Sequence, residues 1–167
     1  MSDMNRTLLN SFIVVVLVAL AGCGFQLRGS ATLPDSLQTM HVQGIDTQRG
    51  LGRDLKRGLT NNNVTVIDNY QSDSAVLTVL DTKIERRVLS VGSNAKVSEY
   101  ELYGFVSFKV SDGQGRVLSE AQKVEAQRDY QFDQDRVLGN DEEERLLREQ
   151  LNQQLVQSIL RRLSALK

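Results

Sequence analysis

The residues best suited to chemistry are few, and most of them are cations. Arg86, Arg87 and Lys96 fall within RRVLSVGSNAK (86–96), whose tip, Gly92-Ser93-Asn94, reads as a turn in the connection between two long strands. Arginine forks and lysine ammonium groups on such a connection suit phosphate or carboxylate groups. The same charges can instead do no more than solvate and protect strand ends. His41 is the single histidine and has no cysteine cluster to join, so a zinc-type site is not expected. Gly50-x-Gly52 begins a dinucleotide-type loop, but Leu55 stands where its third glycine belongs. No GxSxG stretch is present, and the acidic run Asp141 to Glu144 is accounted for by its place at the positive end of a helix dipole. No metal, cofactor or catalytic set emerges, and the expectation is a binding protein rather than an enzyme.

One further residue stands apart. Cys23 is the single cysteine and closes the apolar stretch of LVALAGCGFQLRG (17–29). A positive charge at Arg6 precedes an apolar segment, Phe12 to Leu20. That segment is too short to span a bilayer, which takes about 20 residues of helix, and it has the shape of a secretory signal. Leu20-Ala21-Gly22-Cys23 resembles the lipobox of bacterial lipoproteins. The resemblance implies cleavage before Cys23 and acylation of that residue. Residues 1–22 then form the signal, 23–36 a lipidated tether and 37–167 a single domain. Gly24, where similar proteins kept at the inner membrane tend to carry Asp, implies carriage to the outer membrane, on its periplasmic side. The alternatives are an ordinary buried thiol or a soluble secreted protein. A disulfide within the monomer is excluded, because there is no second cysteine. Asp3 weakens the basic start, which leaves Met4 as a second candidate for the first residue.

The rest of the chain must position these groups. Basic and acidic side chains nearly cancel, 20 against 21, so nothing favours a generic nucleic-acid partner. Tryptophan is absent and Pro34 is the single proline, so neither an aromatic carbohydrate groove nor a proline-rich linker is expected. Met40 and Val42 alternate in a short strand over 37–45. Asp46 or Thr47 can cap a helix with Leu51, Leu55 and Leu59 on one stripe, closing at Asn61-Asn62-Asn63. A β-branched segment over 64–67 reads as a further strand. Residues 75–91 are apolar on both faces at first and then alternate, as in a long strand that leaves cover halfway. Residues 100–110 and 117–132 alternate on either side of Asp112-Gly113, a hairpin signal. In the last segment Asn140 can cap, with Glu143 completing a capping box. Leu147, Leu151, Leu155, Ile159 and Leu163 then recur every four residues of a helix over 141–163. This order gives an α+β, two-layer sandwich: two helices on one face of a roughly four-stranded mixed sheet.

Three stretches together resemble one family: GCGFQLRG (22–29), SEYEL (98–102) and LGNDEEERLLREQLNQQLVQSILRRLSAL (138–166). In order and spacing they are similar to LptE, the lipopolysaccharide-assembly lipoproteins of the Gram-negative outer membrane. The resemblance implies a sandwich that plugs the large translocon β-barrel LptD, helps it assemble, and binds lipopolysaccharide. It also implies basic contacts in the loop before the SEYEL strand, here among Arg86, Arg87 and Lys96. A second contact is implied near the entry to the final helix, where Asn140 replaces the lysine of some relatives and Arg136 can substitute. The competing classes are a free lipid carrier with its own acyl cavity and a structural envelope lipoprotein. No sustained heptad supports the latter.

Mass spectrometry of the mature protein should find a lipid-modified N-terminal Cys23. An unmodified chain that retains Met1 or Met4 would exclude it. Several acyl chains would hold the protein at a membrane stably, where one alone is marginal.

Overall fold

The computed structural model describes residues 33–133 and 137–166, the side chains of Val137 and Leu138 excepted. The apolar segment, Cys23 and Arg136 lie outside the described residues. The elements in chain order are β1 (Thr39–Gln43), α1 (Gly50–Asn61), β2 (Thr65–Ile67), β3 (Ala75–Val91), β4 (Val97–Ser111), β5 (Val117–Gln131) and α2 (Val137–Ser164). The strands form one mixed sheet of five, one more than the sequence reading counted, in the order β2-β1-β3-β4-β5. β1 runs parallel to both β2 and β3, while β3, β4 and β5 form an antiparallel meander. The architecture is α+β, with the alternating apolar side chains of the sheet gathered with those of both helices into one core.

The period of four in α2 produces its buried stripe. Leu151, Leu155, Ile159 and Leu163 are sealed from solvent, and Val156 and Leu160 widen the stripe as expected. Beneath it lie Leu102, Val106, Phe108 and Val110 of β4, and Val124, Ala126 and Tyr130 of β5. Two glycines set how close the layers come. A Cβ on Gly104 of β4 would lie 2.5 Å from Leu151 Cδ2 and 3.2 Å from Leu155 Cδ1. A Cβ on Gly58 of α1 would lie 2.6 Å from Val156 Cγ1 of α2. Gly58 weakens α1 locally, as the sequence implies, and in return lets the two helices touch.

Both expected helix caps are displaced. Asp46 Oδ1 accepts the Gln48 N–H at 2.8 Å and its carbonyl accepts the Arg49 N–H, so the chain makes a turn before the helix begins. The N-cap is Arg49, with no side-chain bond. At the other helix, α2 starts at Val137, so Asn140 is inside it rather than at its cap. Asn140 is buried, and its Nδ2 donates to the Asp133 carbonyl at 2.5 Å. Its amide fastens the β5–α2 connection, and Glu143 is left exposed instead of closing a capping box. The segment before β1 is also tied down, since Leu33 and Leu37 are both core residues.

The sheet is covered over only part of its length. β1 pairs with β3 from Ala75 to Thr78 and no further. From Leu80 onward β3 has β4 on one side and, among the described residues, no strand on the other, and Leu80, Val88, Leu89 and Val91 are exposed. The halfway exit from cover read in the sequence is thus the point where β1 ends. The hairpin between β4 and β5 is closed by the Asp112 N–H on the Arg116 carbonyl, and the Asp112 carboxylate accepts the Gln114 and Arg116 N–H groups.

Leu151→Ala should cost roughly 2–5 kcal/mol in chemical denaturation, the usual range for emptying a packed leucine site. Leu146→Ala, at a position 45% exposed, should stay within about 0.5 kcal/mol.

Candidate functional site

Arg86 and Arg87 are adjacent residues of β3, not of a loop, so strand alternation sends them to opposite faces. This corrects the connection read over 86–96 in favour of the strand read over 75–91: pairing with β4 continues past both, through Val88 opposite Tyr100 to Val91 opposite Val97. Arg86 lies on the helix-bearing face, opposite Leu102, with its guanidinium 4.4 Å from the Tyr100 ring centroid. Arg87 lies on the helix-free face, opposite Glu101, with its guanidinium 3.9 Å from the Tyr103 ring centroid. Lys96 closes the turn that joins β3 to β4, where its backbone N–H donates to Asn94 Oδ1. The structure therefore does not gather the three cations.

Arg86 belongs to a polar cluster that sequence reading missed. Its Nη1 donates to Glu144 Oε2 at 3.0 Å, and the Tyr130 hydroxyl donates to the same oxygen at 2.6 Å. Arg148 grips Glu144 Oε1 through Nη2 at 2.7 Å and Nε at 2.9 Å. Burial alone would raise the Glu144 carboxyl, but the hydrogen bonds from Tyr130, Arg148 and Arg86 hold it below the usual carboxylate range. Burial first, and then the bond to Glu144, push the Tyr130 phenol up to about 12. The Glu144–Arg148 pair is visible in the sequence as an i, i+4 spacing; its partners on β3 and β5 are not. Arg86, Asp141, Glu144, Arg145 and Arg148 line an open cleft of about 560 Å³.

On the opposite face Arg87 pairs with Glu85 and lies 3.8 Å from Glu101. Lys83 pairs with the same Glu85, and these two cations lower its carboxyl. Lys123 sits 4.4 Å from the Phe105 ring centroid, and the Tyr103 hydroxyl bonds to Glu125 at 2.5 Å. Lys96 differs from both arginines. It forms no ion pair among the described residues and borders an open cleft of about 610 Å³ with Ser98, Glu99, Gln131 and Asp133. His41 is bonded to the Ile67 carbonyl at 3.2 Å and packs edge-on to Tyr70, which accounts for it structurally. Among the described residues no group of His, Cys, Asp or Glu could hold a metal ion.

With this geometry in place, comparison with known proteins is decisive for the family. The sequence model of LptE, described as lipopolysaccharide-assembly, matches residues 37–163. The chain belongs to the LptE family. It is 26% identical over 160 residues to the LPS-assembly lipoprotein LptE of Photorhabdus laumondii, covering 96% of this chain and 87% of that one. Among solved structures, rare lipoprotein B from Shewanella oneidensis is similar at 30% identity and a TM-score of 0.66, over 76% of this chain and 94% of that one. Lipoprotein B from Nitrosomonas europaea is similar at 26% identity and a TM-score of 0.69, over 85% and 91% of the two chains. The LptE match spans every strand and nearly all of α2, so it includes the Arg86–Glu144–Tyr130 cluster and the turn bearing Lys96.

The cluster gives stability a defined pH dependence. A carboxyl lowered by folding stabilises the fold above its unfolded titration range, and that contribution is lost as pH falls through the folded value. Glu144→Gln should therefore cost roughly 1–3 kcal/mol at neutral pH. It should also flatten the decline in stability on acidification, followed by denaturation at a series of pH values. An unchanged acid profile would show that the cluster contributes nothing to folding.

Proposed function

We propose that this chain is an outer-membrane lipoprotein, anchored through Cys23, that plugs and helps assemble an LptD-type β-barrel and binds lipopolysaccharide on its way to the outer leaflet. Membership of the lipopolysaccharide-assembly family across residues 37–163 is the observation that carries this reading. The reading is of a binding and assembly protein, with no catalytic step and no cofactor. The meander of β3, β4 and β5 leaves charged side chains, Lys83 and Lys123 among them, exposed on its helix-free face, which suits contact with a larger structure. No helix among the described residues is long and apolar enough to cross a membrane, so the anchor in this proposal is the lipid at Cys23.

For the lipid ligand we propose Lys96 as the primary phosphate contact. It stands at the end of the ribbon with its charge uncommitted, whereas Arg86 and Arg87 must exchange carboxylate partners before they can bind an anion. Those two can engage only from opposite faces, and Arg136 remains proposed as the contact near the entry to α2. A free carrier that encloses acyl chains is a weaker reading. The clefts at this end of the fold are open and lined largely by polar side chains, including Glu99, Asp129, Asp133 and Glu143.

The native protein should co-purify with a β-barrel several times its mass, whereas a carrier would travel alone. Lys96→Gln should weaken lipopolysaccharide binding about tenfold at low salt, since a well-formed charge-assisted hydrogen bond is worth roughly 1.5–3 kcal/mol. Adding Arg86→Gln and Arg87→Gln should remove most of the remaining salt dependence and leave barrel association intact. Equal affinity of wild type and triple variant at low and moderate salt would assign these cations to strand protection alone.

A further inference from the structure

The near balance of charge in the chain as a whole conceals an imbalance along its helix layer. Asp141, Glu142, Glu143, Glu144 and Glu149 make the first half of α2 acidic, and no acid follows from Gln150 to Leu166. α1 packs on that second half, through Gly58 against Val156 and Leu160. Its buried side is Leu51, Leu55 and Leu59, so helical spacing turns Arg53 and Arg57 outward, and both are exposed. Arg49 precedes them with its side chain 89% exposed. On α2 the exposed outer stripe is Gln153, Gln157 and Arg161. The acids of α1 and its approach are already engaged: Asp54 is bonded to Arg53 and only 19% exposed, and Asp46 lies 4.0 Å from Arg49. Arg57 and Arg161 form no ion pair among the described residues.

The course of the chain gives this surface a direction. Leu33 is a core residue and borders a cleft with Asn62 and Asn63, just past the end of α1. The segment leading back to Cys23 therefore joins the fold there, ten residues from the cysteine. Ten residues span at most about 35 Å, so an acyl anchor at Cys23 holds the end of α1 within that distance of the membrane. β1, into which Leu33 leads, pairs with the first residues of β3, whereas the Lys96 turn follows its last.

We propose that the outer face of α1, with Arg161 of α2, rests on the anionic phospholipid headgroups of the bilayer that holds the acyl chains. Exposed arginines beside a lipid anchor add an electrostatic attachment to the apolar one. None of the large exposed apolar side chains lies on α1 or on the second half of α2, so among the described residues the contact is one of charge without insertion. The acyl group holds the protein at the membrane, and the basic face sets which side of the domain is turned toward it. The acidic start of α2 is turned away by the same field, and the helix-free face of the meander is left for the barrel. The direction of the face rests on acylation of Cys23; the lipopolysaccharide contact at Lys96 is a different surface.

The test uses the whole mature chain with Cys23→Ser, which carries no acyl group, so that binding reports the face alone. Co-sedimentation with phosphatidylcholine vesicles should be weak, should rise as phosphatidylglycerol is added, and should fall again with salt. Replacing Arg53, Arg57 and Arg161 together by Gln should weaken binding to the phosphatidylglycerol vesicles about tenfold. Replacing the same three by Lys should preserve it, because the contact is one of charge. Circular dichroism checks that each variant folds, and Arg57→Gln with Arg161→Gln serves if the triple variant does not. Lys96→Gln should leave vesicle binding unchanged. Equal binding to the two kinds of vesicle would overturn the proposal, as would a Gln variant that binds like the parent or a loss on Lys96→Gln as large as that on removing the three arginines. Vesicle binding by this chain upholds the face whatever the mass of the native Cys23, so the two readings fail separately.

Discussion

The contact between Leu151 and Gly104 governs the rest of this molecule. Because β4 carries no side chain at that point, the leucine stripe of α2 descends onto the sheet and reaches the backbone of its central long strand. From there Leu155, Ile159 and Leu163 follow at helical spacing, and α1 is drawn in through Gly58 beneath Val156. A larger residue at either glycine would lift one layer from another and open voids along the whole stripe, where interiors tolerate little loss of packing. The two glycines are thus close-approach positions, and the helix propensity lost at Gly58 is offset by the tertiary contact it permits.

The first turns of α2 are held differently. There Glu144 accepts hydrogen bonds from Arg86, Tyr130 and Arg148, which ties β3, β5 and α2 together by charge rather than by apolar burial. Directional bonds suit that position. The charged groups there are partly wet, Arg86 at 44% and Glu144 at 16%, while Tyr130 beside them is a core residue. At the same level the sheet carries cation–aromatic stacking on both faces, Arg86 on Tyr100 and Arg87 on Tyr103.

How much of this was legible in the sequence depended on whether the signal was periodic. The leucine stripe of α2 and the alternation in β3, β4 and β5 follow from local spacing, and the structure places those residues where the spacing does. The caps were not legible, because Asp46 and Asn140 have alternative partners that only the folded chain supplies. Gly104, a break in an apolar series when read locally, is a contact when seen against a helix some 50 residues later. The Arg86–Glu144 bond joins residues 58 apart and leaves no local trace. Arg86 and Arg87 fell both in the long strand read over 75–91 and in the connection read over 86–96, and the folded chain continues the strand through both.

That misplacement bears directly on anion recognition. Three cations on one loop would form a ready cradle, but the folded chain gives each arginine a carboxylate of its own, Glu144 on one face and Glu85 on the other. An incoming phosphate at either arginine must displace that carboxylate and gains only the difference between two charge-assisted bonds. At Lys96 the exchange is with water alone, although Glu99 and Asp133 border the same cleft and set an opposing field there. Affinity at a single exposed ammonium under such a field is modest and sensitive to salt. Weak, exchangeable contact suits the proposed role, in which the lipid is passed onward, whereas an unpaired three-cation cradle would hold it.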